Sequence, residues 1–281
     1  NFELDKQNNI KDPKGMYGEK LKMYFYKLAI KENYIKTIKN VFELLNINIE
    51  SFVPSPISAA LLTLKSDEKY LGSICIDLGS GSTSVSVFEN NKLIFMDAIP
   101  IGGQHITKDI ALGLSTTIDS AERLKTLYGS VITNPSDDFE LIDVQVLGSE
   151  NNESNQINRS QLNSIIKPRV EETLELIRQK LLEYNLNKKQ IRNLVLTGGG
   201  SLLEGIDEYS QIIFDSKTRI SNHMPFLELE NKFNKPQYSQ TFGLMYFNEN
   251  DYNFDFLSEN MDKKEKKSFF GRFSTWLDQY I

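Results

Sequence analysis

The chain has 281 residues, 40% apolar and 25% charged, a balance that suits a soluble globular protein with room for two domains and excludes disordered, collagenous and disulfide-stapled classes. A net charge of −6 provides no overall basic field for nucleic acid, so any anion site has to be local. Cys75, the single cysteine, reads as a small buried hydrophobe of a reducing compartment, and two histidines without cysteine partners cannot build a zinc site of ordinary spacing.

In chain order, residues 20–30 alternate as a strand, and Tyr34, Ile35, Ile38, Val41, Phe42 and Leu45 recur at helical spacing. Residues 49–53 read as a further strand, ended by Pro54 and Pro56, and a helix over 57–65 follows. Residues 73–77, 83–88 and 92–97 read as a hairpin meander, with a Gly/Ser knot as its first turn and Asn90 and Asn91 as its second. Helices are expected over 104–114 and 118–128, the second with Asp119 as N-cap. Residues 130–160 are polar, with one strand expected near 140–147. Ile166, Val170, Leu174, Ile177 and Leu181 mark a long amphipathic helix over 164–184, with Pro168 in its first turn.

The stretch RNLVLTGGGSLLEGI reads as strand, glycine turn and helix start, and a last helix is expected at 238–247. Residues 249–262 hold five acids and no basic residue, the pattern of a solvated linker. Four lysines follow, at 263, 264, 266 and 267, and then an aromatic tail. The first residue is Asn, and residues 1–15 carry neither a basic nor an apolar leader region, so a fragment or processed chain is expected. No stretch reaches the roughly 18–20 apolar residues of a spanning helix, so any membrane contact is expected to be peripheral.

Three places could carry chemistry. In Asp77-Leu78-Gly79-Ser80-Gly81-Ser82-Thr83, a glycine-rich turn lets successive amides face one concavity that binds phosphate oxygens, with hydroxyls from Ser82 and Thr83 beside it. Asp77 would repel a bare phosphate, so its functional role there is to hold a hydrated magnesium ion. The alternative is a tight hairpin whose glycines only satisfy a positive φ. Gly198, Gly199 and Gly200 follow a strand and permit close ligand approach near a helix start; the alternative is a plain strand-to-helix turn. Glu122 and Lys125 share a helix face, either as a surface ion pair or as a carboxylate and ammonium offered to a ribose and purine.

The order of these motifs resembles the actin, sugar-kinase and heat-shock-chaperone ATPase superfamily. A DxGxGxT hairpin is followed by GG with T-x-D-I-A, then AE-x-L-K, then a strand with TGGG. Within that superfamily the chain resembles the FtsA family, on IKDPKGMYGEKLKMYFYKL, SPISAALLTLKSDEKYLGSICIDLGSGSTSVSVF, IPIGGQHITKDIALGLSTTIDSAERLKTLYGS, LVLTGGGSLLEGI and the terminal SFFGRFSTWLDQYI. The resemblance implies an α/β, actin-like (ribonuclease H-like) ATPase fold in two lobes, the first one partial, with a C-terminal amphipathic helix. It implies ATP with Mg2+ as cofactor and self-assembly into protofilaments. It also implies capture of the C-terminal peptide of FtsZ and a peripheral place on the cytoplasmic side of the bacterial membrane, at the division septum.

Residue by residue, Gly79, Ser80, Gly81, Ser82 and Thr83 resemble the second phosphate loop, with Asp77 on the metal through water. Glu122 and Lys125 resemble the nucleoside-contacting pair, and Gly198, Gly199 and Gly200 the adenosine-side turn. The implied organisation is 1–47 as remainder of the FtsA-specific subdomain of lobe one, 48–70 as its return segment, 71–247 as lobe two, 248–266 as linker and 267–281 as membrane-targeting helix.

Two departures stand out. Ser80 replaces a family glycine and Ser84 a family acid, which argues for ATP holding over cleavage and for at most weak ATPase activity. No earlier DxG loop occurs in residues 1–70, so weak nucleotide binding is expected. The rival readings are a superfamily phosphotransferase such as a sugar kinase, and a pilus-assembly actin-like protein such as PilM.

In the tail, Phe269, Phe270, Phe273, Trp276, Leu277, Tyr280 and Ile281 form one continuous helical stripe. At 1.5 Å per residue it spans only about 20 Å, enough to lie in a membrane interface. The lysines upstream would meet anionic lipid at roughly 1 kcal/mol each. The alternative is a helix docked on protein.

Overall fold

The computed structural model describes residues 2–10, 12–23, 28–147, 154–184, 186, 193–221 and 235–247. The expected linker and aromatic helix, including Phe269 to Tyr280, lie outside the described residues. The described residues fall into two units, 2–52 and 53–247.

In the first unit β1 (Phe2–Leu4) is the middle strand of an antiparallel sheet with β2 (Gln7–Ile10) and β3 (Leu21–Met23). Asp5 turns the chain between β1 and β2 at φ 56°. Its carboxylate accepts from the amides of Glu19 and Lys20 at 3.0 and 2.8 Å, an Asp side chain serving the local turn that its left-handed backbone opens. After the sheet comes α1 (Glu32–Leu44), the helix expected from the apolar period, although none of its residues is buried. Residues 49–53, expected as a strand, are irregular: Pro54 is extended but supplies no ladder donor, and Pro56 already lies in the first turn of the following helix.

The second unit opens with α2 (Ser55–Thr63) and α3 (Ser66–Leu71) and continues into the meander β4 (Ser73–Leu78), β5 (Thr83–Glu89) and β6 (Lys92–Ile99). Next come α4 (Gly103–Gly113), α5 (Ile118–Tyr128), a hairpin of β7 (Leu141–Gln145) and β8 (Ser154–Asn158), and α6 (Arg159–Glu183). The chain then forms β9 (Asn193–Thr197), a 3-10 turn at Gly199–Leu202, α7 (Ile206–Phe214), β10 (Lys217–Ile220) and α8 (Ser239–Met245).

The central sheet has the order β10-β9-β4-β5-β6. Strands β4, β9 and β10 run parallel, while β4, β5 and β6 form the antiparallel meander. All six residues of β4 are buried, as a strand covered on both faces requires. Ile74, Ile76 and Leu78 enter the large core with Val85, Val87, Leu194, Leu196 and the α6 residues Ile166, Val170, Leu174 and Ile177. On the other face Cys75 joins Phe88, Val195 and the α2 residues Ala60 and Leu64 in a smaller cluster. Helix α8 packs on α2 so closely that a Cβ on Gly243 would stand 1.8 Å from the Ser58 carbonyl oxygen. Only a glycine permits that approach.

Three local details depart from expectation. The N-cap of α5 is Thr117, whose hydroxyl accepts from the Ser120 amide; Asp119 lies one turn position too late to reach it. Helix α6 begins at Arg159, which places Pro168 ten residues in rather than in the first turn. The helix therefore forgoes one interior hydrogen bond there and is held by its packed apolar face. Strand β10 was not foreseen; Arg219 within it forms a two-pronged ion pair with Glu68 of α3 at 2.6–2.7 Å and donates to the Thr63 carbonyl. The meander's second turn matches expectation, with Asn90 and Asn91 at φ 52° and 61°. Their amides bond the Tyr70 and Lys69 carbonyls at 2.9 and 3.0 Å, closing the end of α3.

Candidate functional site

The three sequence motifs meet at one end of the central sheet. Leu78 pairs with Thr83, so Gly79, Ser80, Gly81 and Ser82 form a four-residue hairpin loop closed by the Gly79 amide on the Ser82 carbonyl. The Gly103 and Gln104 amides at the start of α4 donate to the Gly79 and Ser80 carbonyls at 2.9 and 2.8 Å. Because a trans peptide points its C=O and N–H in opposite directions, turning those two carbonyls toward α4 turns the Ser80 and Gly81 amides away from it. Two adjacent donors aimed at the same side make an anion-binding concavity.

Glycine is required in this cluster for contact rather than for left-handed turning. Neither Gly79 nor Gly81 has a positive φ, which removes the plain-hairpin explanation of both. A Cβ on Gly102 would lie 2.6 Å from the Gly79 and Ser80 carbonyl oxygens, and one on Gly200 would lie 2.9 Å from the Leu78 side chain. A Cβ on Gly81 would enter open space, so no contact among the described residues requires glycine there. Within this cluster Gly198 combines a positive φ of 81° with a close neighbour, the Asp77 Oδ1 oxygen. The triple glycine leads into the 3-10 turn and not, as expected, into an α-helix; α7 begins only after Gly205.

Lys125 connects the third motif to the first two. Its ammonium donates to the Gly103 carbonyl at 3.1 Å, to the Thr107 hydroxyl at 2.8 Å and to Glu122 at 2.7 Å. Thr107 in turn donates to Glu122. Burial pushes the Glu122 carboxyl up, but the hydrogen bonds from Lys125 and Thr107 outweigh it and hold the group below the usual carboxylate range. The pair is therefore a fixed carboxylate and ammonium tied to the loop, more than the isolated surface bridge that helical spacing alone allows. Gly102, Gly103 and Thr107 were visible only inside the motif GG with T-x-D-I-A; the hydrogen bonds give them their places.

Between the loops lies a small, partly open and largely apolar pocket lined by Leu78, Gly79, Thr83, Gly103, Gly200 and other residues, with room for about one water molecule at ≈ 30 Å³. A nucleotide needs roughly ten times that space, so it would lie along the open side of the glycine loops. Thr83 borders the pocket with a buried hydroxyl that has no partner among the described residues, and Ser84, directly across from Asp77, carries another.

Asp77 is on the opposite face of the sheet, 4% exposed. Its Oδ2 accepts from the amide nitrogen of Gln240 on α8 at 2.5 Å, and its Oδ1 leans over the α-carbon of Gly198. Burial pushes its carboxyl up, against the hydrogen bond from Gln240. Among the described residues no group of three metal-ligating acids, histidines or cysteines exists, so these residues build no cation cage of their own. One carboxylate with a free oxygen near a loop of outward-facing amides fits the demands of a magnesium ion held through water. Gln240 had no signal in the sequence, since it stands 163 residues from Asp77.

Comparison with known proteins shows the family and the fold. A family model described as "Cell division protein FtsA" matches residues 74–243. The "Cell division protein FtsA" of Agrobacterium fabrum is 34% identical over 247 residues, covering 88% of this chain and 56% of that protein. The Bacillus subtilis protein of the same description is 31% identical over 248 residues, covering 88% and 54%. The chain thus spans about half the length of the curated relatives it matches. Among solved structures, MreB5 of Spiroplasma citri bound to ADP superposes with a TM-score of 0.63 at 19% identity, covering 80% of this chain and 69% of that one. The PilM-PilN type IV pilus biogenesis complex gives 0.58 at 15%, covering 76% and 57%. These likenesses show the actin-like α/β fold.

Proposed function

The chain belongs to the FtsA family, and from that premise we propose that it is a division adaptor which binds ATP, assembles with copies of itself as actin does, and ties FtsZ filaments to the inner face of the bacterial membrane at the septum. The observation that carries this reading is the family match over residues 74–243, the span that contains the converging glycine loops and the Glu122–Lys125 pair. MreB5, whose fold this chain shares, was solved with ADP and with AMPPNP, which supports a nucleotide in the corresponding place.

In this reading the Ser80 and Gly81 amides grip phosphate, with hydroxyls from Ser82 and Thr83. Glu122 and Lys125 hold the ribose and purine, and Gly198, Gly199 and Gly200 leave room on the adenosine side. A bound magnesium ion would offset phosphate charge, and Asp77 would hold it through water. Ser84 offers no carboxylate across from Asp77, so the residues suit holding ATP and setting a filament conformation more than turnover.

Lobe two spans 71–247, residues 1–47 and 48–70 belong to lobe one, 248–266 form the tether and 267–281 the membrane helix. Replacing Phe273 and Trp276 by Glu tests the anchor. The full chain is expected to co-sediment with vesicles containing anionic lipid and to carry added FtsZ down with it, while the doubly substituted chain leaves both in the supernatant. Equal sedimentation of the two chains would overturn the anchor, and vesicle binding without FtsZ would overturn the adaptor role.

A further inference from the structure

Gln240 is the one side chain among the described residues that donates to the Asp77 carboxylate, and its own position is locked. The Pro236 carbonyl, just ahead of α8, accepts from the Gly198 amide and lies within bonding distance of the Thr197 and Ser239 hydroxyls, one of which donates to it while the other donates to its neighbour. The Thr197 and Ser239 hydroxyls also bond each other at 2.5 Å. These contacts tie the start of α8 to the end of β9. Three residues past Gln240, Gly243 seats the same helix against the Ser58 carbonyl. A seven-residue helix held at both ends gives Gln240 little freedom.

From this geometry we infer that Gln240 is the positioning residue for Asp77, holding Oδ2 so that Oδ1 is the oxygen presented, over the triple-glycine turn, to the water shell of a divalent cation. A short carboxylate side chain with two rotatable bonds otherwise has several staggered choices. Ser84, its neighbour across the strands, does not hold it, since that hydroxyl has no partner. Fixing the carboxylate before the ion arrives removes an ordering cost from binding, and the benefit falls on the magnesium-dependent part of nucleotide binding alone. The inference rests on the nucleotide reading above and adds to it a residue from α8 that touches neither phosphate nor metal.

The test measures binding of a fluorescent ATP analogue to the full chain in MgCl2 and in EDTA, for the parent, Gln240→Leu and Gln240→Glu. The parent is expected to bind more tightly with magnesium. In Gln240→Leu that gain should fall about tenfold, or roughly 1.4 kcal/mol, with affinity in EDTA changed less than about twofold. Gln240→Glu keeps the size, loses the donor and adds a like charge, so its gain should be smaller still.

A merely structural role would lower both affinities together or only the melting temperature. If the parent shows the gain and both variants keep it, the positioning role is overturned and the nucleotide reading stands. If the parent shows no gain, the magnesium-nucleotide reading falls and this inference with it. Failure of both variants to fold would assign Gln240 to stability and also overturn the role.

Discussion

The two faces of β4 receive alternate residues of one six-residue strand, yet they are built from different materials. Ile74, Ile76 and Leu78 enter a continuous apolar core against α6. Cys75 and Asp77 face α2 and α8, where the packing is made by small residues, close backbone approach and side-chain hydrogen bonds. The first face derives most of its stability from area removed from water, with Thr83 the polar residue that β5 places on it beside Leu78. The second can hold a carboxylate because glycine, serine and amide groups surround it. Chemistry can sit on the second face because it is not the one that carries the fold.

Four substitutions break or sharpen that contrast, in falling order of effect. Ile76→Ala empties the centre of the apolar face and should destabilise the chain by about 3–4 kcal/mol in urea unfolding at an unchanged denaturant slope. Gly243→Ala adds one methyl where 1.8 Å is available and should cost about 2–3 kcal/mol, with weakened α8 packing visible as faster amide exchange of that helix.

Glu68→Gln removes half of the Arg219 ion pair and should cost about 1–2 kcal/mol near neutrality. Burial pushes the Glu68 carboxyl up, but Arg219 and the Lys65 amide outweigh that and hold it below its usual 4.5. The group thus binds its proton more weakly folded than unfolded. Its contribution is complete above about pH 4.5 and is lost as pH falls through the lowered folded value, so parent and variant stabilities should converge in acid. Ser86→Ala removes a buried hydroxyl that has no partner and should shift stability by no more than about 1 kcal/mol, toward greater stability. A clear loss there would mean that the second face depends on its hydroxyls as much as on its close packing.

The parts of the fold legible in sequence are those with a strong local period or turn chemistry. The meander with its Asn90–Asn91 turn, helices α4 and α5, and the long apolar stripe of α6 fall in this class. The parts that were not legible depend on distant partners. Strands β2, β8 and β10 are short and polar, and only their neighbours make them strands. The true start of α6 is set by Arg159, which donates to the Tyr128 carbonyl and pairs with Glu204, contacts that no helical period contains. At the site, glycine spacing located the loops, but it could not separate a positive φ from a close approach: Gly102 is glycine for contact alone, whereas Gly198 has a positive φ as well. Asp77 was legible as an acid beside the glycine loop, while Gln240 was not, because an isolated glutamine carries no pattern.

The bonds from the Asn90 and Asn91 amides to the last carbonyls of α3 have a consequence for the order in which the molecule comes apart. A hairpin tip is ordinarily the first place to fray, and a six-residue helix has too few internal bonds to persist by itself. Each here supplies what the other lacks, so tip and helix open together or not at all. That joint opening would also release Glu68 from Arg219, placing the outer end of the meander, α3 and the edge strand β10 in a single cooperative unit of local unfolding.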